Sequence, residues 1–209
     1  MIQAVLFDLD GTLTNTLEDI AFAMNRALRL HRLPEHPVDA YRYLVGNGAK
    51  VLAQRAVGQR ADLAEQVQRD YQAYYETHNL VRTKPYNGIP ALLEGLQNKG
   101  LKLCVFSNKP HADTCHVVEH FFPGVNFAVV RGQQDGVPVK PDPAGALLVA
   151  EELNIPPENF LYVGDTDVDM LCARRAGMHP VGAVWGFRDE AELRQAGAER
   201  LAQHPEELL

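Results

Sequence analysis

Cysteine is scarce in this 209-residue chain. The three present, Cys104, Cys115 and Cys172, are widely spaced and form no Cys-x-x-Cys pair. That argues against a disulfide framework or a structural zinc site and for a reducing compartment. Positive charge is also short, with 20 Lys and Arg against 27 Asp and Glu and a net charge of −7. Nucleic acid and anionic membrane are therefore poor partners. No apolar run approaches the ~20 residues of a membrane span. The opening MIQAVLFD has no basic region and its apolar run is broken by Asp8, so it does not read as a secretory signal. The expectation is a cytoplasmic protein, monomer or homodimer, that acts on a small molecule and on neither nucleic acid nor membrane.

What is present is an ordinary globular composition, 46% apolar and 22% charged, enough for a real core. Short apolar runs at residues 4–7, 101–106, 127–130, 160–163 and 180–184 read as buried parallel strands. Helical patterns at 89–99, 110–121, 143–153 and 168–176 separate them, with Asp142 suited to cap the third. This alternation predicts an α/β fold, a doubly wound Rossmann-like parallel sheet. Residues 14–81 break the rhythm with consecutive helices at 17–30, 38–44, 49–57 and 61–77, punctuated by Pro34, Pro37, Gly46, Gly48 and Gly58. The expected organisation is a core of residues 1–13 and 82–209, with an all-helical domain of 14–81 inserted after the first strand.

Four polar clusters each follow an apolar strand. Asp8 and Asp10 follow the first, Ser107 and Asn108 follow "LKLCVF", Lys140 sits in "VPVKPDP", and Asp165, Asp167 and Asp169 lie in "YVGDTDVDM". Carboxylates two residues apart on extended chain share a face and repel, so Asp8 and Asp10 suggest a cation or a reaction. In an open parallel sheet, loops at the carboxyl ends of the strands converge on one crevice. A nucleophile, hydroxyl and amide donors, a lysine and a carboxylate nest would there suit a phosphoryl group. Compensating cations are needed: at 4 Å and an effective dielectric near 20, each pair of like unit charges repels by about 4 kcal/mol. Mg²⁺ prefers oxygen ligands, and a lysine can neutralise transferring oxygens.

"DLDGT", "SNK", "KPDP" and "GDTDVD", in that order, resemble the four motifs of the haloacid dehalogenase superfamily. The helical insert matches that superfamily's cap in its commonest position. Through "VGNGAKVL", "PYNGIPALLEGLQNKGLKLCVFSNKP" and "GAVWGF" the chain is similar to bacterial phosphoglycolate phosphatases. The resemblance implies a Mg²⁺-dependent phosphomonoesterase, with 2-phosphoglycolate the first candidate substrate. It implies Asp8 as nucleophile and Asp10 as acid and then base. Thr12 would help orient Asp10 and the loop, amides near Leu9 would hold phosphate, Ser107 and Asn108 would bind phosphate oxygens, and Lys140 would bridge phosphate and Asp8. Metal ligands would be Asp8, the Asp10 carbonyl and Asp165, with Asp169 acting from behind or through water. Gly46 and Asn47 would face substrate, and Asn47 or Lys50 would set specificity. Asp167 reads as helix N-terminal charge. Members commonly carry Asp-Ser where this chain has Asn15-Thr16, a departure at the cap entrance.

Blander readings weigh differently. "HVVEH" at residues 116–120 matches a zinc-peptidase pattern, yet so short a motif recurs by chance and suits a helix flank better. "GNG" at 46–48 lacks the third glycine and preceding strand of a dinucleotide fingerprint. Competing functions are a phosphosugar mutase or sugar-phosphate phosphatase of the same superfamily and, from another class, a phospho-acceptor signalling module.

Overall fold

The computed structural model describes residues 1–209. In chain order the elements are β1 (Ala4–Phe7), β2 (Thr14–Asn15), α1 (Leu17–Leu30), α2 (Tyr41–Leu44), α3 (Gly48–Ala56), α4 (Ala64–His78), β3 (Lys84–Pro85), α5 (Ile89–Asn98), β4 (Lys102–Pro110), α6 (His111–Phe121), β5 (Phe127–Gln133), α7 (Ala144–Leu153), β6 (Phe160–Gly164), α8 (Asp167–Ala176), β7 (His179–Ala183), α9 (Glu190–Ala196) and β8 (Arg200–Ala202). Six strands form one parallel sheet in the order β5-β4-β1-β6-β7-β8.

All four residues of β1 are buried, as expected where helices cover both faces of a parallel sheet. Its side chains alternate. Val5 and Phe7 pack with Leu92, Leu93 and Leu96 of α5 and Val117 of α6. Ala4 and Leu6 pack on the opposite face with Val149 of α7 and Cys172 and Ala173 of α8. The chain builds outward from β1 through β4 to β5, then returns to β6 on the other side. Strand order therefore reverses beside β1, and its carboxyl end opens on the crevice where such sheets bind ligands.

Helices α1 to α4 surround an apolar cluster of their own, including Met24, Leu28, Tyr41, Leu52 and Tyr71. Phe187, from the loop after β7, is seated in that cluster. The two chain crossings to this helical unit lie side by side, because β2 pairs antiparallel with β3, Thr14 opposite Pro85 and Asn15 opposite Lys84. Asp19 fastens them. Its buried carboxylate accepts from the Arg82 amide (3.0 and 2.9 Å), the Thr83 amide (2.8 Å) and the Thr83 hydroxyl (2.8 Å). Substitution to alanine would orphan three donors, each costing about 1–3 kcal/mol where buried.

The structure departs from the sequence expectations in several places. β4 runs on to Pro110, so Ser107 and Asn108 stand on strand rather than in a following loop. The β2–β3 ribbon, α9 and β8 were not anticipated. The helix expected over 38–44 is a 3-10 turn (Val38–Ala40) leading into α2, and that over 61–77 begins with another (Ala61–Leu63). No helix is long and apolar enough to cross a membrane.

Candidate active site

Asp8 follows β1 directly and is buried. Its amide donates to the Val163 carbonyl of β6 (2.9 Å), which extends the sheet's hold one residue past the strand. Oδ1 of its carboxylate accepts from the Leu9 amide at 2.7 Å and from Lys140 Nζ at 2.9 Å. Oδ2 accepts no hydrogen bond from the protein. The Leu9 amide, expected to hold phosphate, is thus spent on Asp8 itself.

Lys140 Nζ has three protons and three acceptors: Asp8, Asp169 Oδ1 at 2.7 Å and the Phe106 carbonyl at 3.2 Å. Burial would lower its pKa, but Asp169 and Asp8 outweigh burial and hold it above the ordinary lysine value. It is a fixed cation.

Asp8, Asp165 and Asp169 offer carboxylate oxygens within 4.8 Å of one another, all buried. Burial pushes the Asp8 carboxyl up to about 7 despite Lys140, with Asp169 adding to the rise. Asp165 is raised well above the carboxylate range by burial, then by Asp169 and Asp8. Three buried carboxylates facing one lysine are under-compensated, and a hard divalent cation fits this oxygen set. The Asp10 carbonyl accepts no hydrogen bond within the chain, which suits the ligand role expected of it.

The remaining groups brace these. The Thr12 hydroxyl donates to Asp165 Oδ1 at 2.8 Å, and the Phe187 amide to Asp165 Oδ2 at 2.8 Å. Thr12 therefore helps fix the loop, as expected, but the carboxylate it orients is Asp165 and not Asp10. Its carbonyl accepts from the Trp185 indole at 2.9 Å. Gly11 has φ +91°, and a Cβ there would come within 2.2 Å of Asp165 Oδ2, so no side chain can stand at this turn. Asp169 caps α8 reciprocally with Thr166: Oδ2 accepts the Thr166 hydroxyl (2.6 Å) and amide (3.1 Å), leaving Oδ1 for Lys140. Asp167 begins α8, as its helix-terminal reading predicts.

Ser107 lines the cavity above Asp8, and its oxygen accepts from the Lys109 amide at 3.3 Å. Asn108 is committed elsewhere. Its Nδ2 donates to the Gly46 carbonyl (2.9 Å) and the Lys140 carbonyl (3.2 Å), and its Oδ1 accepts from the Lys140 amide (2.8 Å). It fastens the Lys140 loop and the helical unit instead of presenting a free donor, contrary to expectation. Gly46, at φ +111°, lines the cavity. Asn47 does not: its Oδ1 takes a hydrogen bond from Arg55 (2.8 Å), and Lys50 is exposed. His116 and His120 are exposed on α6, in keeping with the helix-flank reading.

Sequence reasoning passed over Lys109. It is buried, and its Nζ donates to both oxygens of Asp10 (3.0 Å each) and to the Tyr75 hydroxyl of α4 (2.7 Å). The signal was its place directly after Ser107-Asn108 at a strand's carboxyl end. Ile20, Leu52, Tyr71, Gln72 and Tyr75 close the cavity from the helical side, leaving a volume of about 60 Å³.

Residues 5–183 match the family model for haloacid dehalogenase-like hydrolases. The chain is 33% identical to the phosphoglycolate phosphatase of Aquifex aeolicus, over 89% of this chain and 86% of that one. It is 32% identical to the N-acetylmuramic acid 6-phosphate phosphatase of Pseudomonas aeruginosa, over 100% and 93%. A crystal structure from Lactobacillus delbrueckii, provisionally described as a phosphoglycolate phosphatase, superposes with a TM-score of 0.92 at 29% identity, covering 99% and 96%.

Proposed function

The chain belongs to the haloacid dehalogenase-like hydrolases and is a phosphatase, and on that premise we propose that it hydrolyses 2-phosphoglycolate to glycolate and phosphate through an aspartyl-phosphate on Asp8. The observation that carries the reading is the asymmetry of Asp8. Oδ1 is braced by Lys140 and the Leu9 amide, while Oδ2 has no protein partner. A carboxylate so held can attack phosphorus through one oxygen without losing its orientation.

Residues 14–81 act as a cap over the site. Asp10 gives a proton to the departing alkoxide and then takes one from the water that opens the aspartyl-phosphate. The Ser107 hydroxyl donates to a phosphate oxygen. Lys140 adds fixed positive charge, and its longest bond, to the Phe106 carbonyl at 3.2 Å, is the one to exchange for a phosphate oxygen. Asp8, the Asp10 carbonyl and Asp165 would hold Mg²⁺, with Asp169 steadying Lys140 behind them. When bound, the ion supplies the charge compensation that the acidic cluster and a phosphate dianion require.

Relatives at 30–35% identity that are named phosphoglycolate phosphatases favour glycolate over a sugar acid as the leaving alcohol. A panel of phosphomonoesters, with Mg²⁺ and with chelator, tests the proposal by released phosphate. 2-Phosphoglycolate should lead by kcat/KM. N-Acetylmuramic acid 6-phosphate in first place would replace the substrate but keep the mechanism. Phosphoryl transfer without net phosphate release would indicate a mutase, and a single turnover would indicate a signalling module.

A further inference from the structure

Lys109 is the only cation among the residues lining the cavity, and the chemistry above gives it no task. Its placement is fixed at both ends. The backbone amide donates to Ser107 Oγ (3.3 Å) and the carbonyl accepts from Thr114 Oγ1 (3.3 Å). Nζ divides its protons between the two oxygens of Asp10 and the Tyr75 hydroxyl. No other donor in the protein reaches the Asp10 carboxylate, so Lys109 alone fixes the rotamer of that side chain.

Tyr75 belongs to α4, on the helical side of the crevice, where its ring stacks on Tyr71 at 5.2 Å and is buried. The chain Asp10–Lys109–Tyr75 thus crosses from the β1 loop to the helical unit through one buried ammonium. Other polar contacts across the crevice, Asn108 to Gly46, Arg188 to Val45 and Arg42 to Gly186, join backbone carbonyls, and the Asp19 contacts to Arg82 and Thr83 lie at the chain crossings; none of them touches the Asp10 carboxylate.

We propose that Lys109 is a positioning residue that holds Asp10 for proton transfer and, through the Tyr75 hydroxyl, makes that hold depend on α4 lying against the sheet. With α4 seated, the ammonium has all three acceptors and Asp10 is pinned over Asp8. With α4 displaced, the buried ammonium keeps only the two oxygens of Asp10, is no longer tied to the helical side, and is free to move with Asp10. A proton donor misplaced by about 1 Å can cost on the order of 10²-fold in rate. The acid would then be competent only under a closed cap, after substrate has displaced bulk water. This inference rests on the reading of Asp10 as the acid and base.

The test uses leaving-group dependence in the Mg²⁺-loaded full chain. An alkyl phosphate needs a proton on its leaving oxygen, whereas p-nitrophenyl phosphate does not. Lys109→Met should lower kcat for the best alkyl substrate by about 10²-fold with KM changed far less. With p-nitrophenyl phosphate it should still give a pre-steady-state burst of nitrophenolate approaching one per site. Tyr75→Phe, which keeps the buried ring, should show the same pattern at about a tenfold loss. The double variant should be no slower than Lys109→Met alone, because residues acting as one unit are not additive. Additive losses, or equal losses on alkyl and aryl substrates with no burst, would overturn the inference. Tyr75→Phe carries the test alone if Lys109→Met fails to fold. Asp10→Asn is the reference. If it shows no leaving-group dependence, the acid reading fails and this inference with it. If it does and the Lys109 and Tyr75 variants do not, only this inference fails.

Discussion

Thr12 and Asp165 are 153 positions apart in the chain, yet the Thr12 hydroxyl donates to Asp165 Oδ1 at 2.8 Å and leaves that carboxylate one orientation. Groups that orient a ligand from behind commonly contribute 10–100-fold to metal affinity. Thr12→Val should therefore raise the Mg²⁺ concentration for half-maximal activity by roughly tenfold or more. The saturated rate should fall much less. Metal titration of activity separates the two, and an unchanged Mg²⁺ requirement would remove Thr12 from this role.

Asp8→Asn is nearly isosteric and should fold, yet turnover should vanish. Removing an essential nucleophile costs many orders of magnitude. Retention of more than a few per cent of the rate, with circular dichroism unchanged, would contradict the nucleophile assignment.

Specificity should follow the helical side of the cavity. Gln72→Ala and Leu52→Ala face the space above Asp8 and should change the ranking of substrates. Lys50→Ala, on the exposed flank of α3, should leave the ranking intact. Kinetics on a substrate panel decide the matter: one common factor for every substrate in Gln72→Ala would mean that this wall does not select.

Thr16 offers a stability test. It is fully buried, and its hydroxyl has no hydrogen-bond partner. Asn15 does the neighbouring work instead, accepting from the Leu17 amide at 3.3 Å. An unpaired buried hydroxyl costs about 1 kcal/mol or more, so Thr16→Val should stabilise the fold by about that amount. Urea unfolding should show a higher midpoint at unchanged slope. A lower midpoint would show that the hydroxyl is needed.

The thiols should differ sharply in reactivity. Burial pushes Cys104 and Cys172 up to about 12, so at pH 8 about 10⁻⁴ of either is thiolate, the reactive form. Cys115, partly exposed on α6, is raised as well, by burial and then by Glu119. Native alkylation followed by mass mapping should mark Cys115 slowly and the other two only on unfolding. Because the thiolate forms as pH rises, Cys115 labelling should accelerate with alkalinity.

The sequence was most readable where polar residues break an apolar strand. Asp8 interrupts β1's buried run and Asp165 that of β6, so the carboxylate nest and the parallel sheet could be anticipated together. The β2–β3 ribbon could not. Two residues per strand carry no alternation, and Lys84-Pro85 lacks strand propensity. The roles of Thr12 and Asn108 were misjudged for a different reason. Motif order says which loops meet, but not which neighbour receives each proton. Lys109 was missed because its partners, Asp10 and Tyr75, come from two distant segments, and only packing brings them to one nitrogen.

The β2–β3 ribbon has a wider consequence. Thr14 faces Pro85 and Asn15 faces Lys84, so the chain leaves the sheet layer and re-enters it across a gap of about 5 Å, one rung of an antiparallel ladder. Everything beyond that rung is a detour that begins and ends at the same doorway. A hairpin turn of a few residues could close the same gap, and so could a different insert of any length, without moving Asp8 or shifting the register of one core strand. The insert should therefore be exchangeable by grafting without shifting the core strands, provided the replacement offers Lys109 a hydroxyl where Tyr75 now stands.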